Sequence, residues 1–164
     1  MRVLLIIMIL VSTNTFAFEQ LTLHGVINNV ITKEGKLFVN YTIENKSAVD
    51  IDVLDKFGCP RHIMSISNIF DVTIALNDGS QEKLNYKGPH TYPVAKPDDI
   101  TIKSGESITC QYWLDFGYAV ETVENGYYAV KIDASIRNKK GNNVKIISDE
   151  LKFRYVKGVV TKIN

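Results

Sequence analysis

Residues 98–132 read DDITIKSGESITCQYWLDFGYAVETVENGYYAVKI, and this stretch decides the fold class. Apolar and polar side chains alternate within residues 100–102, 108–116 and 127–134, which is the period of a half-buried β-strand. Gly105 and the pair Asn125-Gly126 provide turn signals between these segments. The stretch therefore predicts strand, tight turn, long strand, loop and strand. Four side chains are predicted to share one face of the long strand, with Tyr128, Val130 and Ile132 packed beside them: Ile108, Cys110, Tyr112 and Leu114.

The same alternation continues on both sides of this stretch. Residues 37–43 alternate strictly, residues 51–54 are predicted to form a short strand, and Asn77-Asp78-Gly79 is a hairpin signal after another alternating run. Residues 144–156 are predicted as one last strand with a bulge near Ser148. We expect an all-β fold, an immunoglobulin-like antiparallel β-sandwich of about 7–9 strands with one disulfide, and the alternative is a closed barrel.

The first 17 residues have the pattern of a secretory signal: Arg2, an apolar run, and small residues before a cleavage site after Ala17. The apolar run is too short to span a bilayer. Because no cysteine lies near the cleavage site, we expect no lipid anchor. Residues 18–164 are predicted to form a single domain that is secreted or periplasmic.

The charge balance argues against two classes of partner. The chain has 19 basic and 18 acidic residues, and removal of the leader takes away Arg2. Proteins that bind nucleic acid or an anionic membrane surface carry a clustered basic patch. We therefore expect no nucleic-acid partner and no membrane anchor.

Cys59 and Cys110 are the only two cysteines. In an oxidising compartment an even pair predicts one disulfide. Closing a loop of about 50 residues would stabilise the fold by about 4 kcal/mol in the chain-entropy model.

The sequence offers little support for catalysis. Its three histidines, His24, His62 and His90, are isolated, and there is no His-Glu-x-x-His, no Gly-x-Ser-x-Gly and no dinucleotide glycine pattern. We predict no enzyme activity, no catalytic or metal-binding residue and no cofactor. The alternative is a metal-dependent hydrolase whose site assembles from the three histidines and acidic residues on folding.

Two further sets of polar residues have open interpretations. Asp50, Asp52 and Asp55 would form either a solvated loop or a calcium-binding edge, although their spacing differs from an EF-hand loop. Asn40-Tyr-Thr42 and Asn45-Lys-Ser47 are sequons that would accept glycans in a eukaryotic secretory pathway.

Residues 87–97 contain three of the chain's four prolines, so they are predicted to form a stiffened crossing loop. If the protein binds a partner through a loop, this segment would offer its side chains at low ordering cost. The predicted partner-binding residues are Lys87, His90, Tyr92 and Lys96.

The order of features from Phe70 to Ile132 resembles a known module, and the similarity covers well under half the chain. The matching pieces are an alternating strand ending at Gly79, Tyr86-Lys-Gly88-Pro89, Lys96-Pro97-Asp98-Asp99, Ser104-Gly105-Glu106-Ser107, Leu114-Asp115, Tyr118 and Gly126-Tyr-Tyr128-Ala-Val130. This order is similar to the N-terminal, non-catalytic β-sandwich module of deuterolysin-like and peptidyl-Lys metalloendopeptidases. The zinc helix of those enzymes is missing, so the resemblance carries over no catalytic residue. It implies a role like that of a pro-segment, which assists folding and holds a protease inactive.

Taken together, these features predict a secreted or periplasmic β-sandwich that binds another exported protein. Protease inhibition and a chaperone-like role are the two candidate activities. The alternative from another class is a structural subunit of a surface assembly, which would need an exposed sheet edge or a donor strand.

Overall fold

The computed structural model describes residues 21–54, 69–75, 80–85, 99–114, 126–138 and 140–163, and the predicted leader, residues 1–17, lies outside them. Strands dominate these residues, so the predicted all-β fold is confirmed. The described strands are β1 (Leu21–Lys33), β2 (Lys36–Glu44), β3 (Ile51–Leu54), β4 (Phe70–Ala75), β5 (Gln81–Leu84), β6 (Asp99–Ile102), β7 (Ser107–Trp113), β8 (Gly126–Arg137), β9 (Asn143–Ser148), β10 (Leu151–Val156) and β11 (Val159–Lys162).

Strands β1 and β2 form a long antiparallel hairpin. Its turn places Glu34 at φ 53° and Gly35 at φ 73°, and two successive positive φ values match the right-handed twist of the flanking strands. Along β2 every second residue is buried, as the strict alternation predicts. The register of β1 shifts between Ile27 and Asn29, so Asn28 is an extra residue on that strand.

Strand β8 joins two halves of one mixed, nine-stranded sheet. Its first part pairs with β4 and β10, and its last five residues pair with β9. The sheet thus has a first wing, formed by the end of β8 with β9, β1, β2 and β7, and a second wing, formed by the start of β8 with β5, β4, β10 and β11. Strands β3 and β6 form a separate two-stranded sheet.

The two wings share a hydrophobic core. Tyr41 of the first wing meets Phe70 of the second edge to face, with ring centroids 5.1 Å apart, and Phe70 also lies 5.1 Å from the ring of Tyr112. In the second wing Tyr128 stacks on Phe153. Each buried side chain of this size contributes about 1.5–3 kcal/mol, and each aromatic pair about 0.5–1.5 kcal/mol more. Ring contacts between the wings therefore help to hold them together.

Three details of the predicted fold are wrong. The sheet is mixed rather than antiparallel, because β1 pairs in parallel with β9. The described residues contain more strands than the 7–9 expected, partly because β11 was not anticipated. Residues 144–156 form two strands rather than one: β9 stays in the first wing and β10 lies in the second. At the break, the Ser148 hydroxyl accepts a hydrogen bond from the Ile132 N–H at 2.8 Å and donates one to Asp149 O at 2.8 Å.

The stretch at residues 98–132 forms strands where they were predicted, but they pair with distant partners. Strand β6 pairs with β3, whereas β7 pairs with β2, so the turn at Gly105 carries the chain from one sheet to the other. Cys110, Tyr112 and Leu114 are buried as expected. Tyr128, Val130 and Ile132 are buried in the same core, on a strand that belongs mainly to the other wing.

Candidate functional site

The predicted partner-binding residues are not among those that the structure describes. Lys87, His90, Tyr92 and Lys96 all lie outside the described residues. Their role in binding stays a prediction.

Cys110 lies on β7 and is only 3% exposed. The described part of the chain contains no free cysteine. Its predicted partner, Cys59, lies outside the described residues, so the pairing stays a prediction.

Of the three histidines considered for a metal site, the structure describes His24 alone. His24 is half-buried on β1, with Nδ1 3.0 Å from Gly25 O, while His62 and His90 lie outside the described residues. Within the described ranges no group of three or more histidine, cysteine, aspartate or glutamate side chains could hold a metal ion.

Asp52, one of the three aspartates considered for calcium, already has a cation beside it. Lys140 Nζ donates to Asp52 Oδ2 at 2.8 Å, and the Thr101 hydroxyl donates to Oδ1 at 2.8 Å. The hydrogen bond from Lys140 is the main cause of the lowered pKa of Asp52, and the same bond raises the pKa of Lys140. The ammonium group therefore takes a position that a calcium ion would need.

The most strongly organised polar cluster centres on Asn45, which follows β2 and is 1% exposed. Its Nδ2 donates to Val49 O and to Ile102 O, both at 2.8 Å. Its Oδ1 accepts from the Ser47 N–H at 3.0 Å and lies 2.7 Å from the Ser47 hydroxyl oxygen. An asparagine amide has two donors and two acceptor lone pairs, so its hydrogen-bonding capacity is filled.

The backbone of Asn45 ties two loops together, residues 45–50 and residues 103–106, which we call the loop pair. Asn45 N donates to Glu106 O at 3.0 Å, and Gly105 N donates to Asn45 O at 2.8 Å. Gly105 has φ 76°, a conformation that glycine adopts without a steric penalty. The strands that carry the two loops are themselves paired, because Glu44 faces Ser107 and Ile51 faces Ile102.

Ser104 and Asp50 add two more links across the loop pair. The Ser104 hydroxyl donates to Ser47 O at 2.7 Å, and the Ser104 N–H donates to Asp50 Oδ1 at 3.0 Å. Each link joins residues more than fifty positions apart in sequence. The two loops therefore form one hydrogen-bonded unit at this end of the sheet.

This unit displays Val49, which is 55% exposed. Val49 O accepts a hydrogen bond from Asn45 Nδ2 and lies 2.9 Å from the Ser47 hydroxyl oxygen. Val49 N donates to the same hydroxyl oxygen at 3.4 Å. The backbone of Val49 is thus held on both sides while its side chain points to solvent. Chemically, the arrangement offers an apolar contact on a fixed support.

The loop pair was not identified from the sequence, where Asn45 was interpreted only as part of a sequon. A signal was present, because an asparagine that ends a strand and precedes a serine by two positions is typical of an Asx turn. The structure also bears on the sequon. Since Asn45 Nδ2 donates to two carbonyl oxygens, the folded geometry leaves no place for a glycan on that nitrogen.

No protein-family model matches this chain, and no curated protein sequence matches it either. None of the described segments is a helix of the length and apolar character needed to cross a membrane.

Proposed function

We propose that this protein is an exported, non-catalytic domain of immunoglobulin-like β-sandwich type that binds another protein, and that the loop pair makes the contact. The observation that carries the proposal is the exposed Val49 side chain on a backbone held by Asn45 and Ser47. Loops at the end of a β-scaffold are common positions for partner contacts.

Rigidity of the loop pair favours binding for a thermodynamic reason. Ordering a flexible loop on association costs free energy, and a loop that already has its bound shape avoids much of that cost. Here the shape is fixed by hydrogen bonds from a side chain that is itself buried. Contact made by Val49 would therefore be opposed by little loss of conformational entropy.

The residues around Val49 provide a polar rim. Lys46, Lys103 and Glu106 expose most of their side chains, and the last two approach each other to 3.8 Å. A buried apolar centre with a hydrated polar rim is the usual anatomy of a protein interface. Both charge signs are present, so this rim does not favour a strongly charged partner.

The proposal includes protease inhibition as the form of activity to test first. A loop that lies in a protease cleft must keep its shape, and the Val49 backbone is held by bonds from within its own domain. The similarity of residues 70–132 to a module that restrains a protease supports the same activity. The second candidate activity within the proposal is a chaperone-like role.

Export and the Cys59–Cys110 disulfide also belong to the proposal. The signal-like pattern of residues 1–17 supports export. Cys110 is buried in β7, and no described cysteine is free, which supports a disulfide in an oxidising compartment.

The test is capture of secreted proteins of the source organism on the immobilised mature domain. Three forms are compared: the wild type, Val49→Asp, and Val159→Asp as a control, since Val159 is 63% exposed on β11. A protein bound through the loop pair is retained by the wild type and by Val159→Asp. Retention falls about tenfold or more with Val49→Asp, the size expected for an interface hot spot.

The same three forms are then added to the secreted proteases of that organism with a fluorogenic protein substrate. Inhibition by the wild type and Val159→Asp but not by Val49→Asp supports the inhibitor form. Capture that is equal for all three forms would contradict a contact at the loop pair.

A further inference from the structure

A second feature lies on the outer face of the first wing, away from the core. Six uncharged hydrogen-bonding side chains follow β1, β2 and β7 there, and we call them the amide face: Asn28, Asn29, Asn40, Thr42, Thr109 and Gln111. Asn40 faces Asn29 on one side and Gln111 on the other, and Thr42 faces Thr109. Neighbouring positions on the three strands thus form two polar rows.

Both rows are joined by hydrogen bonds. In the first row Asn40 Nδ2 donates to Asn29 Oδ1 at 2.6 Å, and Gln111 Nε2 donates to Asn40 Oδ1 at 2.7 Å. In the second row Asn28 Nδ2 donates to the Thr42 hydroxyl oxygen at 3.0 Å. The Thr42 hydroxyl oxygen lies 3.1 Å from the Thr109 hydroxyl oxygen. The rows hold their side chains in fixed positions.

The first row leaves polar atoms that it does not use. In the first row Asn29 contributes only its carbonyl oxygen and Gln111 only its amide nitrogen. The Asn29 amide nitrogen is therefore left as a donor at one end, and the Gln111 carbonyl oxygen as an acceptor at the other. Anions need donors alone and cations need acceptors alone, whereas hydroxyl groups both donate and accept.

An aromatic pair lies at one end of the amide face. Phe38 and Trp113 face each other on β2 and β7, with ring centroids 6.4 Å apart and planes 29° from parallel. Lys36 Nζ lies 4.3 Å from the centroid of the Trp113 ring. The pair lies two residues along each strand from the first row, which is about 7 Å. An apolar ring surface thus borders a surface that donates and accepts hydrogen bonds.

We propose that the amide face and this aromatic pair bind a neutral saccharide. A sugar ring has apolar C–H faces for the aromatic rings and hydroxyl groups at its edge for the mixed donors and acceptors. None of the six polar side chains is charged, so the amide face itself is matched to an uncharged ligand, while the cation of Lys36 lies against the aromatic pair. Three strands span roughly 10 Å, enough for a short stretch of a linear polysaccharide. The site consists of other residues than the loop pair and does not depend on the function proposed for it.

Trp113 reports on this site directly, because it is the only tryptophan of the chain. A ligand that contacts the ring or displaces Lys36 from it changes the emission of Trp113. The mature protein is titrated with three neutral probes, chitohexaose, cellohexaose and mannohexaose, and with anionic polygalacturonate. We expect a saturable change with at least one neutral probe and none of comparable affinity with polygalacturonate.

Gln111→Ala tests the polar row, and Ser107→Ala is the matched control, because Ser107 is an exposed residue of the same strand outside both rows. We expect Gln111→Ala to weaken binding about tenfold and Ser107→Ala to leave it unchanged, with melting curves recorded for both variants. No saturable change with any neutral probe would overturn the proposal. So would equal binding of polygalacturonate. Unchanged binding by Gln111→Ala would also overturn the proposal, because the rows would then only connect neighbouring strands.

Discussion

Asn45 and Ile102 are 57 positions apart in sequence, yet the Asn45 Nδ2 donates to the Ile102 carbonyl oxygen at 2.8 Å in a buried contact. The same nitrogen donates to Val49 O. One side chain therefore connects the end of β2, the exposed loop that follows it, and β6 of the two-stranded sheet. Both the stability of the protein and the shape of the loop pair should therefore depend on Asn45.

Replacement of Asn45 by alanine should destabilise the protein by about 2–3 kcal/mol, because the change leaves buried backbone groups without partners. Urea unfolding followed by circular dichroism measures the loss. Asn40→Ala is the control, since it removes an asparagine of the preceding strand β2 whose side-chain bonds lie on the exposed face; it should cost about 1 kcal/mol or less. Equal losses for the two variants would contradict the central role of Asn45.

Gly25 marks a close approach between β1 and the middle of β8. A Cβ at this position would lie 2.9 Å from Ile132 Cδ1, 3.1 Å from Ser148 Cβ and 3.3 Å from Ile147 O. Gly25→Ala should therefore destabilise the fold by about 1–3 kcal/mol through overpacking. Thermal or urea unfolding checks the loss.

Ile132→Val provides the matched test, because it removes the Cδ1 atom that lies nearest. The double variant should lose less stability than the sum of the two single variants. The rescue should be partial, since the contacts with Ser148 and Ile147 remain. Strict additivity would show that the contact with Ile132 is not the cause.

Ser148 and Asn45 show which parts of the fold can be predicted from the sequence and which cannot. Alternation located β2, β3, β4, β6 and β7 because period-two burial is a local property of each strand. It could not give the pairing, since the partner of a strand depends on contacts with residues far along the chain. The pattern of residues 144–156 predicted a bulge near Ser148 but not the change of wing there, where the Ser148 hydroxyl accepts a hydrogen bond from the distant Ile132 N–H. Asn45 was overlooked for the same reason, because its burial comes from β6 and from residues 103–106.

Low pH should weaken the contact between the tip of the β8–β9 hairpin and the two-stranded sheet. The pKa of Asp52 is lowered, chiefly by the hydrogen bond from Lys140. A carboxyl group whose pKa is depressed in the folded state adds stability above its unfolded pKa, and this stability is lost as the pH falls through the folded value. Melting temperatures measured from neutral pH into the acid range should fall less steeply for Asp52→Asn than for the wild type.

Lys140→Ala should reproduce that flatter acid dependence, because the same ion pair is removed. Lys145→Ala on β9 is the control and should follow the wild-type curve. Both groups of the pair are at the surface, so the effect is expected to be small. Parallel acid curves for the wild type and both variants of the pair would contradict the interpretation.

High pH should destabilise the protein through ionisation of Tyr128. Burial, with a smaller contribution from Tyr155, raises the pKa of Tyr128 to about 12. Since the folded value lies above the unfolded value of about 10, the contribution of Tyr128 is complete below the unfolded pKa and is lost as the pH rises towards the folded value. Spectroscopic titration of tyrosinate should show a late-titrating group that is absent in Tyr128→Phe, and the variant should lose less stability above pH 10 or so.

The predicted Cys59–Cys110 disulfide can be tested without knowledge of the partner. If it forms, mass spectrometry of the non-reduced protein after proteolysis should recover a peptide pair linked between the two cysteines. Cys110 is buried within β7, so Cys59→Ser is the better variant, because it removes the bond and leaves the side chain of Cys110 in place. Its free energy of unfolding should fall by about 4 kcal/mol in the chain-entropy model. The wild type under reducing conditions should lose a similar amount. If Cys59→Ser unfolds like the oxidised wild type, the two cysteines do not form a stabilising disulfide.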